Sequence, residues 1–304
     1  MSIHQLKKNL FFIVLTLFTW PSLANLKSYN FQDLFYFAQQ SFQKNYFGSN
    51  YSPQMYSAHP YYSQLYGQNH SQANMQSYMK TWTNNEMIQV QQAFQGLLNH
   101  RELEPVFSTI SRIGKVPMMR FSSYPLPKPS GVKSCKRLDS KKTGGALIWV
   151  MAMQPPMHIG VSDDYFELFN LADENSDYST LTHSSLHELM HILDFQYRNL
   201  TQSPDFLQAT GWYQVAQNEW KNRYINYDLL NKTHKKYCED EAETLETYQE
   251  LFDVIVEMGF PSMYSTSNPQ EFFAEIAAVY WLNPDADKIL HPDFIAYLDR
   301  LFKK

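Results

Sequence analysis

The chain is organised around one stretch, residues 184–194, which reads Ser-Ser-Leu-His-Glu-Leu-Met-His-Ile-Leu-Asp. His187 and His191 are four residues apart, and Glu188 directly follows the first histidine. On an α-helix such a pair lies on one face, so both imidazoles can bind one ion. Glu188 would lie close enough to hold a water in the open position of that ion, where a hydrolytic general base belongs. The stretch therefore predicts a hydrolase that depends on zinc.

The residues around this HExxH motif favour a buried helix over a surface helix. Apolar side chains occupy nearly every side, and one polar stripe remains, formed by His187, His191, Asp194 and Arg198. Histidines and carboxylates that point into a core need partners. The alternatives are a chance match to the pattern or two hydrogen-bonded core histidines. We expect Asp194 to hydrogen-bond a neighbouring site residue, and the alternative for it is a solvated or capping carboxylate.

A catalytic zinc site usually has three protein ligands, so a third must come from elsewhere in the chain. One large class uses a histidine six residues after the second motif histidine, preceded by a glycine at the third residue. Those positions hold Tyr197 and Asp194, which excludes that class. His183 lies on the same helical face, but positions i and i+8 are about 12 Å apart along a helix. We therefore do not expect His183 to join both motif histidines at one ion.

A glutamate from a later helix is the remaining source of a third ligand. Residues 268–281 read Asn-Pro-Gln-Glu-Phe-Phe-Ala-Glu-Ile-Ala-Ala-Val-Tyr-Trp, with Asn268 as a good N-cap. Glu271 and Glu275 share one face of this apolar helix, where their charges repel, and a nearby cation is the simplest compensation. Alternatively, Glu271 only closes a capping box with Asn268, which leaves Glu275 without an explanation. We expect Glu271 to bind the metal and Glu275 to accept a hydrogen bond from a ligand histidine.

The two segments together resemble the zincins whose third ligand is a glutamate, the gluzincins, and most of all the catalytic domain of the anthrax lethal factor family. The resemblance implies an α+β fold with a small sheet, an HExxH active-site helix and a helical C-terminal lobe. In that family a tyrosine seven residues before the ligand glutamate is an electrophilic or proton-donating group. That position is Tyr264 here, in a loop from which its hydroxyl could reach an oxyanion. The 80 residues from His191 to Glu271 imply an insertion, at about 205–259, which we expect to be helical.

The expected function is that of a secreted zinc metalloendopeptidase with one Zn²⁺ ion and a protein or peptide as its substrate. The resemblance implies peptide hydrolysis, whereas the ligand set alone supports only metal-assisted hydrolysis of an unspecified bond. A water activated by zinc would give its proton to Glu188. The alternative is a secreted binding protein with a structural or inactive zinc site, but such a site does not need a base at Glu188.

The first residues have the pattern of a secretory signal, which we place at 1–24. Lys7 and Lys8 precede an apolar run, and Ser22-Leu23-Ala24 is a small-residue cleavage site. The run is short for a membrane span, so we expect a secreted or periplasmic protein without stable membrane insertion. The net charge of −5 becomes −7 without the two lysines, which argues against nucleic acid as a partner.

The remaining sequence divides into two parts. Residues 25–83 are rich in Tyr, Gln and Ser, and we expect an extension that packs on the main domain or a pro-region. The catalytic domain would occupy 84–304 and begin with an amphipathic helix, followed from residue 104 to residue 161 by short strands. Cys135 and Cys238 could form a disulfide in an oxidising compartment.

Overall fold

The structure is a computed structural model. It describes residues 28–38, 78–122, 148–151, 158–163, 165–166, 180–196, 200–217, 219–239 and 245–302. Residues 1–24, most of 25–83 and Cys135 lie outside the described residues. Cys238 is disulfide-bonded. None of the described helices is long and apolar enough to cross a membrane.

A small mixed sheet forms one part of the fold. Its strands are β1 (Phe35–Phe37), β2 (Val116–Arg120), β3 (Ile148–Met151) and β4 (His158–Val161), in the order β1-β2-β4-β3. The first three strands in this order are parallel, and β3 pairs antiparallel with β4. Helices make up most of the other described residues, so the fold is α+β. Within the described sheet, β3 is an edge strand.

The described residues before the motif helix include the helices α1 (Phe31–Leu34), α2 (Asn84–Leu98) and α3 (Glu104–Ile113). Helix α2 begins where the sequence predicts, because Thr83 and Glu86 form a capping box. Helix α3 differs from the prediction of short strands after residue 104. Its helical pattern is visible in retrospect, since a proline occupies the first turn and Val106, Phe107 and Ile110 are buried on one side.

The motif lies in α4 (Thr180–Gln196), which packs against β3, α2 and α3. The chain continues with α5 (Pro204–Thr210), β5 (Trp212–Ala216), β6 (Glu219–Asn222), α6 (Tyr227–Glu239), α7 (Leu245–Glu257), α8 (Pro269–Leu282), α9 (Ala286–Ile289) and α10 (Pro292–Phe302). Helix α8 makes an extensive contact with α4. Residues 269–279 are all buried, so α8 is a central helix of the core.

The insertion at 205–259 was expected to be helical, but the structure also contains two strands there. Strands β5 and β6 form a two-stranded antiparallel hairpin between α5 and α6. Its residues include Trp212, Tyr213, Val215 and Trp220, which are aromatic or β-branched and favour strands. The remaining described residues of the insertion are mainly helical.

Arg120, at the end of β2, forms ion pairs with Glu86 of α2 and with Asp163 after β4. The guanidinium is almost completely buried, and it donates to Glu86 at 2.7 Å and also to Asp163. Lys80 binds the same Asp163 carboxylate at 2.8 Å. A buried cation without carboxylate partners would be strongly destabilising. The network therefore fixes the start of α2 against the ends of β2 and β4.

Residues 28–38 belong to the core although they lie in the Tyr/Gln/Ser-rich segment. Leu34 and Phe35 are buried, and Phe35 to Phe37 pair with Val116 to Met118 of β2. Met79, near the other end of the segment, forms a bridge with Phe121. Removal of the whole segment would delete β1 and expose the side chains that it covers. The described part of 25–83 therefore packs on the rest of the chain.

Truncation of a core residue in this segment tests that assignment. We expect Leu34→Ala to lower the free energy of unfolding by about 2–5 kcal/mol, because it leaves a cavity in the core. Tyr36→Ala is the control, since the Tyr36 side chain is partly exposed, and it should cost less than about 1 kcal/mol. Urea unfolding of each variant and of the wild type measures both losses. Equal and small losses would indicate that the segment is dispensable.

Candidate metal centre

Helices α4 and α8 bring three potential ligand atoms together. The distance between the Nε2 atoms of His187 and His191 is 3.0 Å. Glu271 Oε2 lies 3.2 Å from Nε2 of His187 and 3.1 Å from Nε2 of His191. His187 and Glu271 are buried, and His191 is mostly buried. The three atoms therefore form a nearly equilateral triangle.

The triangle has the dimensions that a zinc ion requires. Bonds of about 2.0–2.1 Å in a tetrahedral arrangement separate neighbouring ligand atoms by about 3.3 Å. Two histidines and one carboxylate are also a usual ligand set for a catalytic zinc, which keeps its fourth position for water or substrate. The residues present thus fit one zinc ion in both spacing and chemistry.

Glu271 is not needed to cap its own helix. The Asn268 side chain accepts hydrogen bonds from the backbone N–H groups of Gln270 and Glu271, both at 3.0 Å. This bond pattern caps α8 through the asparagine. The Glu271 carboxylate faces the two imidazoles, so the cap explains where the helix begins but not where this carboxylate points.

Glu275 lies one turn further along α8 and contacts the other side of the His187 ring. Its Oε1 atom is 2.8 Å from Nδ1 of His187. Because a carboxylate accepts hydrogen bonds, Nδ1 of His187 donates here, and a neutral ring then keeps its lone pair on Nε2. Nε2 is the atom that faces Glu271 and His191. The contact thus favours the tautomer that a metal ligand needs.

The charges at the site shift the pKa values of its histidines and glutamates. Burial alone would lower the pKa of His187, but hydrogen bonds to Glu271 and Glu275 raise it well above its ordinary value. The pKa of His191 is also raised, since the nearby Glu271 charge outweighs burial. Burial would raise the pKa of both glutamates, yet the imidazoles lower them well below their usual range. A cation bound here would therefore compete with protons on the histidines.

Glu188 and Tyr264 flank the triad of candidate zinc ligands, His187, His191 and Glu271. Side-chain N and O atoms of His187, Glu188 and His191 that could bind a metal all lie within 4.8 Å of one another, and Glu188 is buried. Tyr264 begins a short 3₁₀ turn, Tyr264–Thr266, and its ring packs on the His187 ring with centroids 5.8 Å apart. Both residues are thus beside the candidate zinc ligands.

The hydrogen bonds described for Asp194 join it to Thr201. Its carboxylate accepts hydrogen bonds from the backbone N–H of Thr201 at 2.8 Å and from the Thr201 hydroxyl at 2.9 Å. These bonds hold the 3₁₀ turn Leu200–Gln202 close to α4. The buried Asp194 carboxylate therefore has a structural role in the contacts described.

Two residues of the site carry contacts that the sequence did not predict. His183 Nε2 lies 3.2 Å from Glu275 Oε1, and the Ser262 hydroxyl donates to Glu275 Oε2 at 2.6 Å. The i, i+4 spacing of His183 and His187 was a signal that both could meet one carboxylate. For Ser262 the only signal was its place in a serine-rich loop near Tyr264.

Comparisons with known proteins add little to this geometry. No protein-family model matches the chain, and no curated protein matches it. A candidate zinc-binding metallo-peptidase from Bacteroides caccae has a similar solved structure, with 10% sequence identity and a TM-score of 0.35. The match covers 84% of this chain and 88% of that protein. Because a TM-score this low indicates only a loose likeness, the assignment below rests on the site itself.

Zinc should stabilise the folded protein through the triad. At a free zinc concentration about 100 times the dissociation constant, we expect the free energy of unfolding to rise by about 2.7 kcal/mol. His191→Ala should abolish most of this gain, because it removes one of three ligands. His234→Ala, which changes a histidine on α6, is the matched control and should keep it. Urea unfolding with and without zinc measures the effect, and an equal gain in His191→Ala would contradict the assigned ligands.

Zinc binding should also depend on pH in a defined direction. The raised pKa values of His187 and His191 mean that zinc must displace protons, so its apparent affinity falls as the pH falls. The decrease should begin above pH 6.5, the ordinary pKa of histidine. In Glu275→Gln it should begin at a lower pH, since one carboxylate that raises the pKa of His187 is gone. Competition with a chelator at several pH values measures this onset.

Proposed function

We propose that this protein is a zinc-dependent metalloendopeptidase that is secreted or periplasmic. The observation that supports it most is the triangle of ligand atoms from His187, His191 and Glu271, with the buried Glu188 beside it. A structural zinc site is usually closed by four protein ligands, whereas three ligands leave a position for water. The pattern of residues 1–24 supports export.

Glu188 is the proposed general base. A bound zinc ion would lower the pKa of a water and polarise a substrate carbonyl. The Glu188 carboxylate lies close enough to accept a proton from a water held beside the triad. Its position directly after His187 on a buried helix limits its freedom, so the proton acceptor is fixed relative to both histidines.

Tyr264 is the proposed electrophilic group. Its ring lies against the His187 ring, which holds the side chain at the edge of the site. A tyrosine hydroxyl can donate a hydrogen bond to an oxyanion or a proton to a leaving amine. Tyr264 would therefore stabilise negative charge that develops on the substrate during the reaction.

Two features support a peptide as the substrate: the resemblance to gluzincins and the edge strand of the sheet. Strand β3 lies at the edge of the described sheet, pairs there only with β4, and packs against α4. An extended peptide can add to such an edge through main-chain hydrogen bonds. The proposal thus places the scissile bond between β3 and the candidate ligands on α4.

The sharpest test removes the base and keeps the metal site. We expect Glu188→Gln to lower the rate of peptide-library or casein cleavage by about 100-fold or more, because a general base contributes about that factor. Zinc should remain bound, since all three ligands are unchanged. Glu246→Gln makes the same chemical change at an exposed position of α7 and should cleave normally.

Cleavage that is unchanged in Glu188→Gln, with zinc bound, would exclude Glu188 as the general base and with it the proposed mechanism. A protein that binds zinc but cleaves no peptide in a proteome-derived library would favour the alternative of a secreted binding protein. Comparison of new peptide termini produced by the wild type and by Glu188→Gln would also identify the sequence around the cleaved bond.

A further inference from the structure

The Glu275 carboxylate lies within hydrogen-bond distance of three side chains from two other segments. Its Oε1 atom lies 2.8 Å from Nδ1 of His187 and 3.2 Å from Nε2 of His183. Its Oε2 atom accepts a hydrogen bond from the Ser262 hydroxyl at 2.6 Å. The carboxylate is buried. Each donor restricts the rotation of this side chain, so the orientation of Glu275 depends on all three.

Ser262 closes the turn that carries Tyr264. Its hydroxyl accepts a hydrogen bond from the backbone N–H of Ser265 at 3.1 Å, and its carbonyl accepts one from the Ser265 hydroxyl at 2.6 Å. Tyr264 lies between these two serines. The hydroxyl that organises this turn is also the one that donates to Glu275. One carboxylate thus holds the His187 ring with one oxygen and the Tyr264 turn with the other.

His183 acts on the same carboxylate from a different side. It lies one helical turn before His187 on α4, and its side chain is 17% exposed, so it reaches from the rim of the site to the buried Glu275. The hydrogen bonds described above for the Tyr264 turn involve Ser262 and Ser265. Loss of the His183 imidazole would remove one partner of the Glu275 oxygen that holds His187 and would leave the Ser262 donor to the other oxygen present.

We propose that Ser262 and His183 are positioning residues that act through Glu275, Ser262 on both the metal ligand His187 and Tyr264, and His183 on His187. This inference rests on the proposed zinc site. A hydrogen bond from a ligand histidine to a carboxylate fixes the ring and its tautomer. The groups that orient that carboxylate therefore also set how well His187 binds zinc.

A second cation between His183, His187 and Glu275 is the competing explanation, since their atoms are close enough to hold one. Nδ1 of His187 lies at a hydrogen-bond distance of 2.8 Å from Oε1 of Glu275, while Nε2 of the same ring faces the candidate zinc ligands Glu271 and His191. His187 would also need to give up its Nδ1 proton. The hydrogen-bonded arrangement therefore accounts for the geometry better.

Zinc affinity, measured by competition with a chelator, is the first readout and does not require activity. We expect Ser262→Ala and His183→Leu each to bind zinc about 10-fold more weakly than the wild type. Ser267→Ala is the matched control: this hydroxyl lies in the same loop but donates to the Tyr264 carbonyl at 2.7 Å. Its zinc affinity should stay within about 2-fold of the wild type. Ser262→Thr keeps a hydroxyl and should restore most of the affinity.

Steady-state kinetics at saturating zinc separate the two positioning roles. Ser262→Ala should lower kcat about 10-fold with little change in KM, because Tyr264 is displaced from the reacting groups. His183→Leu should lower kcat less than Ser262→Ala does once zinc is saturating, because it leaves the described hydrogen bonds between Ser262 and Ser265 unchanged. Thermal unfolding of each variant confirms that it is folded.

Two outcomes would overturn the inference. One is a zinc affinity of Ser262→Ala and His183→Leu equal to that of Ser267→Ala. The other is a stoichiometry of two zinc ions per chain that falls to one in His183→Leu. If the wild type binds zinc but cleaves no peptide, the proposed function fails, while the affinity series still decides whether Ser262 and His183 position His187.

Discussion

Two carboxylates one helical turn apart are buried in the contact between α4 and α8, and most of the site follows from that constraint. Glu271 and Glu275 repel each other and lose hydration, so α8 can pack on α4 only if α4 supplies compensation. His187 supplies it to both, with Nε2 towards Glu271 and Nδ1 towards Glu275. The rise of about 5.4 Å per turn suits this arrangement, in which two carboxylates bracket one imidazole.

The apolar side chains of α8 hold Glu271 and Glu275 in their positions relative to α4. Phe272, Phe273 and Ile276 are fully buried and fix the rotation of the helix about its axis. A polar group in such surroundings has few alternative partners, and its electrostatic interactions are stronger than in water. The apolar packing that makes burial of the two carboxylates unfavourable therefore also holds them in position. A cation that replaces the two protons would meet ligands that need little rearrangement.

Local patterns predicted the parts of the fold and site whose causes are local. The caps at Thr83 and Asn268 set the starts of α2 and α8, and the i, i+4 histidines lie on one helix face as their spacing requires. The hairpin β5–β6 was missed because its strand-forming aromatic residues alternate too briefly to be separated from helix contacts. The bond from Ser262 to Glu275 was not predictable, since it depends on how the loop folds back over α8.

The same bond implies that the metal site and the Tyr264 turn form one mechanical unit. To move Tyr264 away from His187, the turn must either break the hydrogen bond from Ser262 to the buried Glu275 or pull that carboxylate with it. The first leaves a buried carboxylate with one fewer donor, and the second disturbs the ring that faces Glu271 and His191. Both are unfavourable, so these bonds hold the turn that carries Tyr264 beside His187. For the electrophilic role proposed for Tyr264, pre-organisation of this kind would lower the reorganisation needed in the transition state.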